Sequence, residues 1–129
     1  MAAAATVSFG LSDHAGAESY HRGMVEYEVA CMPCHGIDGR GDGRLAPTLK
    51  TRPADLTQIA RSNKGRFPTA RIAAIIDGRD VMAAHGQREM PIWGDRYRKP
   101  IPGEKPTMIE KRVRAQINAL IDYLKSIQK

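Results

Sequence analysis

Cys31, Cys34 and His35 stand together in the stretch ACMPCHG, and the chain has no other cysteine. Two thiols three residues apart, with an imidazole directly after, can do four kinds of chemistry. A disulfide could form, since its Cα atoms need only lie about 4.4–6.8 Å apart, but so small a loop gains little from closure. A redox dithiol of thioredoxin type belongs beside a βαβ unit, and no run here alternates with the period of a strand. Zinc wants about four ligands. These residues give three, neighbours 34 and 35 close poorly on one tetrahedral ion, and the fourth would have to come from His14, His21 or His85.

The remaining reading uses every residue. C-x-x-C-H is the attachment signature of a c-type haem. Thiols on one helical turn each add to a vinyl group at one porphyrin edge, and the next residue reaches the iron. An electron-transfer haem commonly takes a second side-chain ligand, often Met. Met1 is terminal, Met32 lies inside the motif, Met24 reads as filler on a helix, and Met108 opens the last helix. Met90, in REMPIWG, is the strongest candidate, because Pro91 holds the residue before it extended. Met82, His85 and an open sixth position remain as alternatives.

These residues need a frame. The 129 residues are enough for one domain, expected over 16–129 behind a small, polar, mobile lead-in at 1–15. Large apolar residues are scarce, with two Phe, one Trp and four Tyr, so a big apolar cofactor would help fill the centre. Spacing predicts helices over 17–32, 54–60, about 68–78 and 109–127. In the last, Ile109, Val113, Ile117, Leu120, Ile121, Leu124 and Ile127 repeat every three or four residues. Residues 79–108 read as loop. The chain is predicted to be all-α, with three to five helices and long loops. The glycines of DGRGDG, Gly39, Gly41 and Gly43, lack the Lys-Ser/Thr ending of a phosphate loop and the closing Glu of a calcium loop. They are taken as a flexible turn at the cofactor edge.

The sequence resembles the class I cytochrome c family from about Glu18 to Ile127, through GMVEYEVACMPCHGIDGRGDG, LAPTL, REMPIWG and ALIDYLKSI. The resemblance implies a fold wrapped around one covalently attached haem c, with metal ligands His35 and Met90. It implies that Gly23 lets the last helix cross the first, with Tyr123 and Leu124 packing there. It also implies that the Pro47 carbonyl accepts the Nδ1–H of His35, and that Trp93 shields the haem and bonds a propionate. The ligand loop is of bacterial style, and the Pro-rich stretch 96–107 is longer than in mitochondrial relatives. The wording is similar to monohaem periplasmic cytochromes that accept electrons from dehydrogenases, sulfite dehydrogenase among them. Periplasmic maturation, and a signal peptide that MAAAATVSFG does not provide, follow as expectations.

The function expected is one-electron transfer between a dehydrogenase and an oxidase or other cytochrome, not enzymatic turnover. A haem enzyme or gas sensor with an open sixth position, with His85 or Arg88 as its distal group, is the alternative. The net charge is +6, divided as −2 over residues 1–50 and +8 over 51–129. Scattered cations without interleaved aromatics argue against single-stranded nucleic acid, and no stretch approaches the roughly 20 apolar residues of a membrane span. Arg96, Arg98, Lys99 and Lys105 are expected to dock acidic redox partners near the haem edge. On that reading, reversing Arg98 and Lys99 leaves stability almost unchanged.

Overall fold

The computed structural model describes residues 12–80 and 89–129. Residues 1–11 of the expected lead-in, with Met82, His85 and Arg88, lie outside the described residues. From Ser12 the chain is already helical.

Helix α1 runs Ser12–Ala30 and is followed by a second helical turn, α2, at Met32–His35. Pro33 was expected to end the first helix. Instead the chain breaks at Cys31 (φ −110°, ψ −42°), and Pro33 sits in the first turn of α2. A missing N–H costs little there, because the first-turn N–H groups have no partner inside the helix.

The sequence 36–45 then folds back on α2. Gly36 N–H donates to Met32 O (2.9 Å), Leu45 to Pro33 O (2.8 Å), Gly43 to Cys34 O (3.1 Å) and Gly41 to His35 O (2.8 Å). All four carbonyls of a four-residue helix are thereby satisfied, which such a short segment cannot do for itself. Gly43 has no room for a side chain, since a Cβ would meet the Pro33 and Met32 carbonyl oxygens at 2.5 and 2.6 Å. The glycine cluster, expected as a flexible turn, is a hydrogen-bonded cap on the CMPCH backbone.

A 3-10 turn at Ala46–Thr48 follows, then another at Leu56–Gln58 that runs into α3, Ile59–Ser62. The helical stretch expected at 54–60 is thus displaced by two residues. Asp55 is extended and acts as the cap, its carboxylate accepting from Thr57 N–H at 2.9 Å. Helix α4, Thr69–Asp77, ends at Gly78 in the left-handed region (φ 86°), as the sequence predicts. A short helix α5, Trp93–Tyr97, lies within the stretch expected as loop. Its five residues are too few to show a period. Helix α6, Pro106–Ser126, starts three residues before Ile109 with proline in its first turn.

Among the described residues there is no strand, and the architecture is all-α, as expected. The core is Tyr27, Ile76, Tyr97, Val113, Ile117, Leu120, Ile121 and Leu124. Its backbone is the crossing of α1 and α6. Gly23 faces the carbonyl of Ala119, and a Cβ there would also stand 3.0 Å from Tyr123 Cβ. Glycine brings the helices together, and Tyr123 fills the space beside it, its ring 5.7 Å from Tyr20 and 5.0 Å from Tyr27.

Arg112 on α6 pins the Pro-rich stretch with a fork of hydrogen bonds. Arg112 donates to Tyr97 O (2.6 Å) and Lys99 O (3.1 Å) and forks onto Glu104 (2.8 and 2.7 Å). Its planar set of donors fits carbonyls and a carboxylate at once.

Candidate functional site

The CMPCH turn is held from both ends. Cys31 N–H continues the α1 ladder to Tyr27 O (2.9 Å), and His35 N–H donates to Cys31 O (2.8 Å). The Tyr27 hydroxyl donates to Gly36 O at 2.6 Å, so a buried core residue fixes the residue after the histidine. Both cysteines are free thiols. Cys31 is buried and Cys34 half-buried. Burial, with the nearby Glu26 carboxylate, pushes the Cys31 thiol up to about 12, so it stays protonated at neutral pH.

The imidazole of His35 is half-buried, with Nδ1 2.9 Å from the carbonyl oxygen of Ala54. A carbonyl only accepts, so Nδ1 carries the hydrogen and Nε2 keeps its lone pair. Burial lowers the imidazole pKa, against a smaller opposing effect of that hydrogen bond. The group is therefore a neutral nitrogen donor of fixed tautomer, which is what a metal-ligating histidine requires. The partner expected for Nδ1 was Pro47. Pro47 is exposed in the 3-10 turn, and Ala54 takes its place for a physical reason. Leu56 N–H bonds Gly39 O at 2.7 Å, and Gly41 is stacked on the Pro53 and Ala54 carbonyls. The glycine cap thus draws residues 53–56 over the histidine.

Among the described residues no group of three or more His, Cys, Asp or Glu converges as a metal cluster would. Cys31, Cys34 and His35 do not form a zinc site. Two free thiols and a one-nitrogen donor on a single turn do suit a haem, which takes its thioethers and its imidazole at different atoms.

Met90 is half-buried and packs against the core cluster together with Trp93. Trp93 starts α5, with its ring 6.1 Å from that of Tyr97 and the Arg96 guanidinium 4.8 Å above it. Glu89, next to Met90, accepts from the backbone N–H of Lys50 (2.8 Å) and Thr51 (3.0 Å). Beyond Met90 the chain returns onto the end of α4. Gly78 has Ile92 against it, and a Cβ at Gly94 would collide with the Asp77 carboxylate.

Asp77 is 8% exposed and is the anchor of this return. Arg98 reaches it at 2.8 and 3.1 Å and Glu110 at 2.7 Å, while Arg79 pairs with Asp77 from the other side. Arg98 lowers the pKa of the Asp77 carboxyl, and Arg79 adds to this. The expectation that Arg98 serves docking and not folding is therefore corrected. Its side chain is 27% exposed and bridges α4, α5 and α6. Arg96, Lys99 and Lys105 are exposed.

Ala54, Glu89, Asp77 and Arg112 were not singled out from sequence. A backbone carbonyl has no residue signature. Glu89 does carry one signal, its place beside a prospective ligand.

The model of the family described as Cytochrome c matches residues 16–128. Comparison with curated proteins and with solved structures finds no match.

Proposed function

Since the chain belongs to the cytochrome c family of haem-based electron carriers, we propose that it is a one-electron carrier with haem c held by Cys31 and Cys34 and ligated by His35 and Met90. The observation that carries this reading is the His35 Nδ1 to Ala54 O contact of 2.9 Å, on the same turn as two free thiols.

When bound, the haem supplies an iron that cycles between ferrous and ferric states. The chain's residues do the rest. Cys31 and Cys34 hold the cofactor through two thioethers, so it is not lost on collision. Ala54 holds the His35 ring in place and raises the basicity of Nε2. Met90 offers a soft, neutral thioether that favours the ferrous state. Pro91 stiffens the backbone beside it, and Trp93 covers the site against water. With His35 and Met90 both holding the iron, little of the chain would have to move when an electron arrived.

The donor we propose is a periplasmic dehydrogenase, with sulfite dehydrogenase the candidate that the sequence suggests, and the acceptor a terminal oxidase or other cytochrome. Exposed Arg96, Lys99 and Lys105 form the basic surface that would meet them. No described helix is long and apolar enough to cross a membrane.

The purified protein should be red, and its haem should resist extraction with acidified acetone. The ferrous form should bind carbon monoxide poorly. Extractable haem would sink the attachment reading. Ready carbon monoxide binding would favour an open sixth position and the sensor or enzyme alternative.

A further inference from the structure

The connection between the 3-10 turn at Ala46–Thr48 and Asp55 reaches His35 at one end and the residue before Met90 at the other. At one end the Ala54 carbonyl accepts from His35 Nδ1. At the other, Lys50 and Thr51 N–H groups donate to Glu89, one residue before Met90. We propose that Glu89 is a positioning residue, a latch that holds Met90 in ligating position by fastening its backbone to the segment that orients His35. This rests on the reading of Met90 as the sixth ligand.

The chemistry is specific. Two successive backbone N–H groups meet two carboxylate oxygens, one each, at 2.8 and 3.0 Å. Both bonds are charge-assisted, and such bonds are shorter and stronger than neutral ones. The partners lie 39 and 38 residues away, so the contact closes a long loop that nothing local would close. A fix at 89 is carried to 90 with little slack, because the residue before a proline is confined to extended backbone. Glutamine cannot substitute, since its NH2 would face one of the two donors. Aspartate is a methylene short.

A latch acts on the balance between a state with Met90 in place and one with the sixth position open. An external ligand binds only the open state, so its apparent affinity reports the open fraction. Imidazole, at a pH where it is neutral, is the probe, because removing the Glu89 charge does not itself attract or repel it.

The experiment titrates the ferric holoprotein with imidazole in four forms: wild type, Glu89→Ala, Met90→Ala and the double variant. Glu89→Gln serves as a second, milder lesion. The expected result is tight binding in Met90→Ala. In Glu89→Ala, affinity should exceed wild type by at least about fivefold, the low end of ordinary coupling between sites. No further gain is expected when Glu89→Ala is added to Met90→Ala. The charge-transfer band of methionine sulfur on ferric haem should weaken in Glu89→Ala and Glu89→Gln. If Met90→Ala binds no better than wild type, the sixth-ligand reading fails, and the latch with it. Tight binding in Met90→Ala beside wild-type affinity in Glu89→Ala overturns the latch alone. Equal gains from Glu89→Ala in both backgrounds also overturn it, because Glu89 would then act without Met90.

Discussion

The Arg98 guanidinium lies 2.8 Å from the carboxylate of Asp77, twenty-one residues earlier in the chain. That pair closes the base of the segment carrying Met90 and Trp93. Arg98→Met should cost on the order of 1–2 kcal/mol, because it leaves a buried carboxylate with Arg79 as its remaining cation. Lys99→Met, at an exposed position, should stay within about 0.5 kcal/mol of wild type. Urea unfolding of the holoprotein measures both. The acid side should change too. With its folded pKa depressed, Asp77 contributes stability that is fully present above the ordinary carboxylate pKa near 4 and is lost as pH falls through the lower folded value. Without Arg98 that depression shrinks, so Arg98→Met should erase much of this acid-sensitive part of the stability profile. An unchanged acid limb would mean that Arg98 is not what depresses Asp77.

Gly23→Ala should destabilise by about 1–3 kcal/mol through overpacking against the Ala119 carbonyl. Helix propensity alone predicts the opposite sign, a gain of roughly 1 kcal/mol. The shift of the denaturant midpoint therefore tells the crossing from the propensity effect by direction alone.

Met90→Ala should keep the haem attached and lower its potential by on the order of 100 mV, part of the roughly 0.8 V that axial ligands span. Met82→Ala should leave the potential near wild type. Potentiometric titration of both variants decides which sulfur reaches the iron, and a reversed pattern would move the assignment to Met82.

Lys99→Glu with Lys105→Glu should slow electron transfer from an acidic protein donor by about tenfold at low ionic strength, with the difference fading as salt is added. Stopped-flow reduction across a salt series tests this. Equal rates at all salt concentrations would remove these lysines from docking. Unlike Arg98, both are free of the Asp77 network, so the melting temperature should hold.

The sequence showed the parts of this structure that repeat or punctuate. The three-and-four spacing from Ile109 to Ile127 marks α6, and Gly78 marks the end of α4, because side-chain burial and left-handed backbone each favour a small set of residue types. CMPCH was legible because its chemistry needs those side chains in that order. Ala54 was not, since any residue offers the same carbonyl, and its placement depends on how the glycine cap draws in residues 53–56. Arg98 was read as a surface cation because its partner at Asp77 is distant in sequence. Only the fold brings the end of α4 beside α5. The helix at Trp93–Tyr97 escaped because one turn and a half leaves no periodicity.

The crossing at Gly23 and Ala119 also sets an order of assembly. Helix α1 and the CMPCH turn are synthesised before α6, which supplies much of the core. Until α6 arrives, the face of α1 that it covers stays open to whatever meets the chain. Once it is seated, Cys31 is 9% exposed and its thiol is held protonated by burial. On the attachment proposed for Cys31, its thiol is more open to haem on the chain before α6 docks than after, and the seating of α6 then covers it.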